Sequence, residues 1–176
     1  MTIDIIGLGP SVAEYRPTGE LSIGVNDAWK YVKTDILIVL DRPDRFNDER
    51  LHVIRNSRPK AFVTDLDLWE DMPNFTPIKL DERGANLEHL DNPDIYQRHV
   101  DTTYTAACCA FKMGASRIVM WGCDFEAHPE LDHYWKDSTI PGAYKILFNE
   151  LSKRNCKLTV GSFNSPLSKV LPVNLL

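Results

Sequence analysis

No membrane span, disulfide framework, zinc knuckle or basic tract can be found in this sequence of 176 residues. No apolar window approaches the ~20 residues that cross a bilayer. The opening MTIDIIGLGPS lacks the basic start and the unbroken apolar stretch of a secretory signal. Cys108 and Cys109 are adjacent, and Cys123 and Cys156 stand apart, with no Cys-x-x-Cys spacing. Cys108 and Cys109 read as small core residues, Cys123 and Cys156 lie near strands, and the expected location is intracellular, in the cytoplasm. Lys and Arg number 20 against 25 Asp and Glu, a net charge of -5, and they form no long run. Without a basic footprint, no nucleic acid partner is expected. The densest basic stretch, Arg50, Arg55, Arg58 and Lys60, could meet a phosphate but reads first as solvated surface. Internal repeats and low-complexity segments are also missing, which leaves one domain over 1–176.

What is present is a series of short apolar runs. Ile3–Ile6, Leu21–Val25, Asp35–Leu40 and Lys60–Val63 read as strands, and their lack of alternation suits a sheet buried on both faces. Residues 66–100 carry Pro73, Pro77 and Pro93 among many acids and read as a loop-rich excursion anchored by Trp69 and Phe75. Thr102–Met113 reads as a helix of small residues, stopped at Gly114. Arg117–Trp121 and Lys157–Val160 are further strands. They flank an amphipathic helix over 142–154 with Ala143, Ile146, Leu147 and Leu151 on one face, and a short helix follows Ser165-Pro166. Strands alternating with helices predict an α/β fold with a single, doubly wound, mostly parallel sheet.

In such a sheet, ligands bind beyond the carboxyl ends of the strands. The residues expected there are Gly7, Gly9, Pro10 and Ser11, then Asn26 and Asp27, then Asp41, then Gly122 and Asp124, and finally Gly161, Ser162 and Asn164. This rim is polar and small. Glycines let backbone N–H groups approach an oxyanion, and Ser11 adds a hydroxyl. GLGPSV is not a dinucleotide fingerprint, because the third glycine is missing and Asp41 follows the third strand rather than the second. It is not a P-loop either, since no Gly-Lys-Ser/Thr follows. Two readings stay open: a phosphate loop, or a tight strand-to-helix turn with Pro10 at the first helical position.

Taken as a set, GLGPSV, the VND after the second strand, LIVLDRPDRF, DTTYTAACCAFKMGASRIVMWGCDF and the HYW…AYKILFNEL…KLTV…NSPLSKVL tail resemble the GNGPSL-type proteins. That group includes small bacterial sialyltransferases using CMP-sialic acid, motility accessory factors and MptE-like hydroxymethylpterin diphosphokinases. The resemblance to the sialyltransferases is collinear over most of the chain and implies a Rossmann-like, sialyltransferase-like domain with a CMP-type nucleotide site. On that resemblance Gly9, Pro10 and Ser11 form the phosphate-side loop, Gly7 belongs to the same nucleotide site, and Asn26 holds phosphate or ribose. Thr102 takes the place of the Ser in the family's Thr-Ser-Gly, with Thr103 beside it, and Gly122 and Asp124 line the nucleoside pocket. The departures are Leu8 where the family has Asn, Asp101-Thr102-Thr103 for Thr-Ser-Gly, and Glu126 for a Tyr.

The implied function is a nucleotide-sugar glycosyltransferase, with a CMP-sugar donor, an acceptor and no required cofactor. Glycosyl transfer needs a base for the acceptor hydroxyl and a group that stabilises the leaving phosphate. The resemblance places the base at His133 or His128, of which His133 is the first candidate, and Tyr134 is the candidate phosphate donor. A metal alternative uses Asp124, His128 and His133, with Glu126 and Glu130 between them. A diphosphokinase alternative places Asp41 and Asp124 around Mg²⁺ on a diphosphate; Asp41 could instead cap the helix start at Pro43. A third alternative is a degenerate member that binds a nucleotide or nucleotide-sugar without turnover. The partners expected are these small molecules, with a homo-oligomer left open. His52, His89 and His99 receive no role, and Trp29, Trp69, Trp121 and Trp135 read as anchors.

Overall fold

The computed structural model describes residues 1–81, 87–97, 101–125 and 139–174. Seven strands form one parallel sheet: β1 (Thr2–Ile6), β2 (Leu21–Val25), β3 (Ile36–Ile38), β4 (Ala61–Thr64), β5 (Phe75–Pro77), β8 (Arg117–Trp121) and β9 (Lys157–Val160). Their spatial order is β5-β4-β3-β2-β1-β8-β9. Two short strands, β6 (Lys79–Leu80) and β7 (Ile95–Tyr96), pair parallel to each other in a separate ribbon. The fold is the expected α/β type with a mostly parallel central sheet.

The apolar runs serve two faces, because successive side chains of a strand point to opposite sides. Ile3, Ile5, Ile23, Ile38, Ile118, Met120 and Leu158 belong to one core, shared with α2 (Thr102–Lys112) and α3 (Thr139–Lys153). The opposite face carries two smaller clusters. Ile6, Val12, Ala28, Val119 and Trp121 form one, and Leu37, Val39, Phe46, Ile54, Phe62, Trp69 and Met72 form the other.

Several sequence expectations are corrected by the structure. Residues 48–56 form α1 (Asp48–Asn56), capped by Asn47, whose side chain accepts from the Arg50 N–H. Arg50 is not solvated surface: it is buried, with its guanidinium 2.8 Å from Asp27 and 4.9 Å above the Phe46 ring. Asp41 does not cap the helix start at Pro43, since the 3₁₀ turn Pro43–Arg45 begins at Arg42 without a side-chain cap. The 66–100 excursion supplies β5 to the sheet edge, where Pro77 costs no ladder bond that another strand would need. On α3, Ile146 faces solvent, and the buried stripe is Ile140, Ala143, Tyr144, Leu147 and Leu151. The strand at Asp35–Leu40 is shorter than its apolar run, ending at Ile38. No helix among the described residues is long and apolar enough to cross a membrane.

Candidate functional site

β1 lies between β2, the next strand in the chain, and β8, which arrives after the excursion. The strand order therefore reverses at the β1–β8 seam, where parallel sheets open a crevice at their carboxyl ends. The loop after β1 and the loop after β8 meet there, stitched by backbone and side chain. The Gly7 N–H donates to the Trp121 carbonyl at 2.7 Å, and the Gly9 N–H donates to the Gly122 carbonyl at 2.6 Å. Asp124 is buried, and both its oxygens accept from Ser11: Oδ2 from the N–H at 2.5 Å and Oδ1 from the hydroxyl at 2.5 Å. Ser11 Oγ in turn accepts from the Gly122 N–H at 3.2 Å.

This contact explains the glycine spacing. A Cβ on Gly7 would lie 2.4 Å from the Gly122 carbonyl oxygen, and one on Gly9 would lie 2.6 Å from Asp124 Oδ2. The two glycines are needed for close approach of the loops. Pro10 opens a five-residue 3₁₀ turn, Pro10–Glu14, rather than an α-helix. The N–H groups of Gly7, Gly9 and Ser11 are committed to protein acceptors, so the loop shapes the crevice more than it supplies donors to it.

Asn26 stands at the carboxyl end of β2, one strand from the seam. Its backbone is left-handed, with φ 50°, and its Oδ1 is buried without a hydrogen-bond partner. An unpaired buried acceptor costs free energy unless a ligand or water supplies a donor. Asp41 is half-buried beyond β3, with its carbonyl accepting from Trp69 Nε1 at 3.0 Å.

The start of α2 forms the third wall. Asp101 caps the helix by accepting from the Tyr104 N–H at 2.9 Å, and it also accepts from the Thr103 hydroxyl at 2.5 Å and the Tyr144 hydroxyl at 3.0 Å. Thr103 and Tyr144 hydroxyls are 2.6 Å apart. Desolvation raises the Asp101 carboxyl above its ordinary value, and burial likewise raises the Tyr144 hydroxyl and the Cys123 thiol. Phe125 follows Asp124 in left-handed backbone, φ 62°, a conformation that costs a bulky residue about 1–3 kcal/mol. Its ring packs 5.5 Å from that of Tyr144. Thr102 is half-buried in the first turn of the same helix.

The structure thus brings Gly7, Gly9, Ser11, Gly122 and Asp124 into one seam and sets Asn26 on its flank. The helical stripe read from the sequence omits Tyr144, and with it the pairing to Asp101. Its signal was the spacing of three residues to Leu147 and four to Ile140. His133, Tyr134 and His128 lie outside the described residues. Among the described residues no group of three or more His, Cys, Asp or Glu could hold a metal.

A scan of family models and a search of curated proteins return no match to this chain. Solved structures do match. Sialyltransferase CstII from Campylobacter jejuni, in complex with the substrate analogue CMP-3FNeuAc, superposes with TM-score 0.58 at 12% identity, over 99% of this chain and 88% of that one. CST-II in complex with trisaccharide acceptor and CMP gives TM-score 0.59 at 12% identity, over 100% and 89%. The monofunctional α-2,3-sialyltransferase Cst-I from Campylobacter jejuni gives 0.58 at 12%, over 99% and 80%. Nearly the whole of this chain therefore shares the fold of these sialyltransferases.

Proposed function

We propose that this chain is a nucleotide-sugar glycosyltransferase of the CMP-sugar type. The observation that carries the reading is Asn26: a buried carboxamide oxygen without a donor, at a strand end beside the reversal seam. A phosphate at neutral pH has almost no proton to give, so this acceptor suits a hydroxyl of the donor. The fold shared with sialyltransferases solved with CMP supports the same reading.

In this reading Thr102 and Tyr134 donate to the phosphate, and His133 takes the proton of the acceptor hydroxyl. The acceptor oxygen bonds to the anomeric carbon while the bond from that carbon to the phosphate oxygen breaks, and the electron pair leaves on CMP. No resident cofactor is required. A diphosphokinase gains nothing from the geometry, because Asp124, one of its two Mg²⁺ carboxylates, has both oxygens on Ser11.

The test is a thermal-shift panel with CMP, CDP, UDP, GDP, AMP and ATP, each with and without Mg²⁺ or Mn²⁺. A ligand at a hundred times its Kd adds about 2.7 kcal/mol to the native state, which for a chain of this size raises Tm by about 5–10 °C. Stabilisation by CMP, indifferent to metal, is expected. Donor hydrolysis lost in His133→Ala, with CMP affinity kept, then places the base. A response to ATP with metal alone, or to no nucleotide, overturns the reading.

A further inference from the structure

Phe163 is 70% exposed, more than any other large apolar side chain among the described residues. An exposed phenyl ring on a loose loop needs no explanation, but this loop is fixed. Ser162 Oγ donates to Glu14 Oε2 at 2.8 Å, and Asn164 Nδ2 donates to Glu14 Oε1 at 2.5 Å. The Asn164 N–H donates to Ser162 Oγ at 2.9 Å, and the Ser168 hydroxyl donates to the Phe163 carbonyl at 3.2 Å. Ser165 Oγ reaches the Cys123 carbonyl at 3.4 Å. These tethers run to both halves of the seam, since Glu14 closes the turn that begins at Pro10 and Cys123 lies between Gly122 and Asp124.

The Phe163 backbone is thus held on the rim at the carboxyl end of β9, beside β8, with its ring open to solvent. Asn26 stands on the other side of the seam, at the end of β2. From β2 to β9 is three strand spacings, about 14 Å, a span that an extended nucleotide-sugar bridges. The β2 side offers an acceptor suited to sugar hydroxyls. The β9 side offers a flat apolar face with no polar atom, which matches the flat face of a base.

We infer that Phe163 is the stacking platform for the base of the bound nucleotide, an inference that rests on the nucleotide-sugar reading above. The ligand lies across the seam with its base toward β9 and its sugar toward β2. Base–aromatic stacking of ordinary strength makes the base worth about 5- to 150-fold in affinity.

The experiment measures CMP and ribose 5-phosphate binding by calorimetry to the unaltered protein, Phe163→Ala and Phe163→Trp. Both variants change an exposed side chain and are expected to keep the native Tm. Phe163→Ala should weaken CMP binding by about 5- to 150-fold and leave ribose 5-phosphate unchanged. Phe163→Trp should bind CMP as the native protein does, and its added fluorescence should be quenched saturably by CMP and not by ribose 5-phosphate. If Phe163→Ala binds CMP at native affinity, or CMP leaves the added tryptophan unquenched, stacking is overturned and the nucleotide reading stands. If the unaltered protein binds no CMP, the nucleotide reading falls and the stacking role falls with it.

Discussion

Replacing Asp124 separates two roles for its carboxylate, contact with a nucleotide and stitching of the seam. The side chain is 2% exposed, and both oxygens accept from Ser11. Hydrogen bonds to a charged acceptor contribute about 1.5–3 kcal/mol each. Asp124→Ala removes two of them and leaves the Ser11 N–H buried without an acceptor. Water entering the vacated space recovers part of the loss, so the expected cost is about 3–5 kcal/mol, near that of breaking a buried charged pair. Asp124→Asn keeps the volume and one acceptor and should cost about 1–2 kcal/mol. Ser11→Ala should cost about 1–2 kcal/mol and be strongly non-additive with Asp124→Ala, because the two share their bonds. The assay is urea denaturation at neutral pH without nucleotide, read as a shift in midpoint at constant slope. Asp124→Ala within about 1 kcal/mol of the native protein, combined with lost CMP affinity, would refute the stitching role and make the carboxylate a ligand group.

Two further outcomes follow from other parts of the molecule. Desolvation places the folded-state pKa of Asp101 above its unfolded value, so the stability it contributes is full below the unfolded pKa and declines as pH rises through the folded one. Asp101→Asn keeps a good cap and removes the charge. Its stability relative to the native protein should grow as pH rises from about 4 toward neutrality, and a flat difference in urea titrations across that interval would refute the assignment. At the end of β9, a Cβ on Gly161 would sit 2.3 Å from the Trp121 ring. Gly161→Ala should therefore cost about 1–3 kcal/mol, falling below about 1 kcal/mol in a Trp121→Leu background. Equal costs in the two backgrounds would show that the ring does not set the constraint.

Six of the seven strands of the central sheet are legible because burial on both faces leaves apolar runs that periodicity cannot hide, as in residues 36–40 and Arg117–Trp121. The α2 helix was legible from its small residues and its Gly114 stop. α1 was not, since only Leu51, Val53 and Ile54 are apolar among its nine residues, and its buried charge, Arg50, is neutralised by a partner 23 positions away. β5 hid behind its prolines, which an edge strand tolerates. The glycines and Ser11 were visible as a motif, but their partner Asp124 lies 113 positions away, and spacing carries no information on such pairs. Tyr144 was obscured because an aromatic with a polar tip scores poorly on an apolar stripe, although Asp101 satisfies the tip.

The place of β1 in the sheet has a consequence for how the molecule assembles. Ile3 pairs with Leu21 on one side and with Ile118 on the other. The second pairing closes about six times as much chain, at an extra entropic cost of about 2 kcal/mol. On a ribosome, the β1–β5 half is complete long before β8 exists, and β1, the edge strand of that half, waits with one side unpaired. A nascent chain released before β8 would present that edge to other chains. The crevice, by contrast, comes into being only when the late strand docks, so ligand binding reports completed folding rather than the presence of the first half.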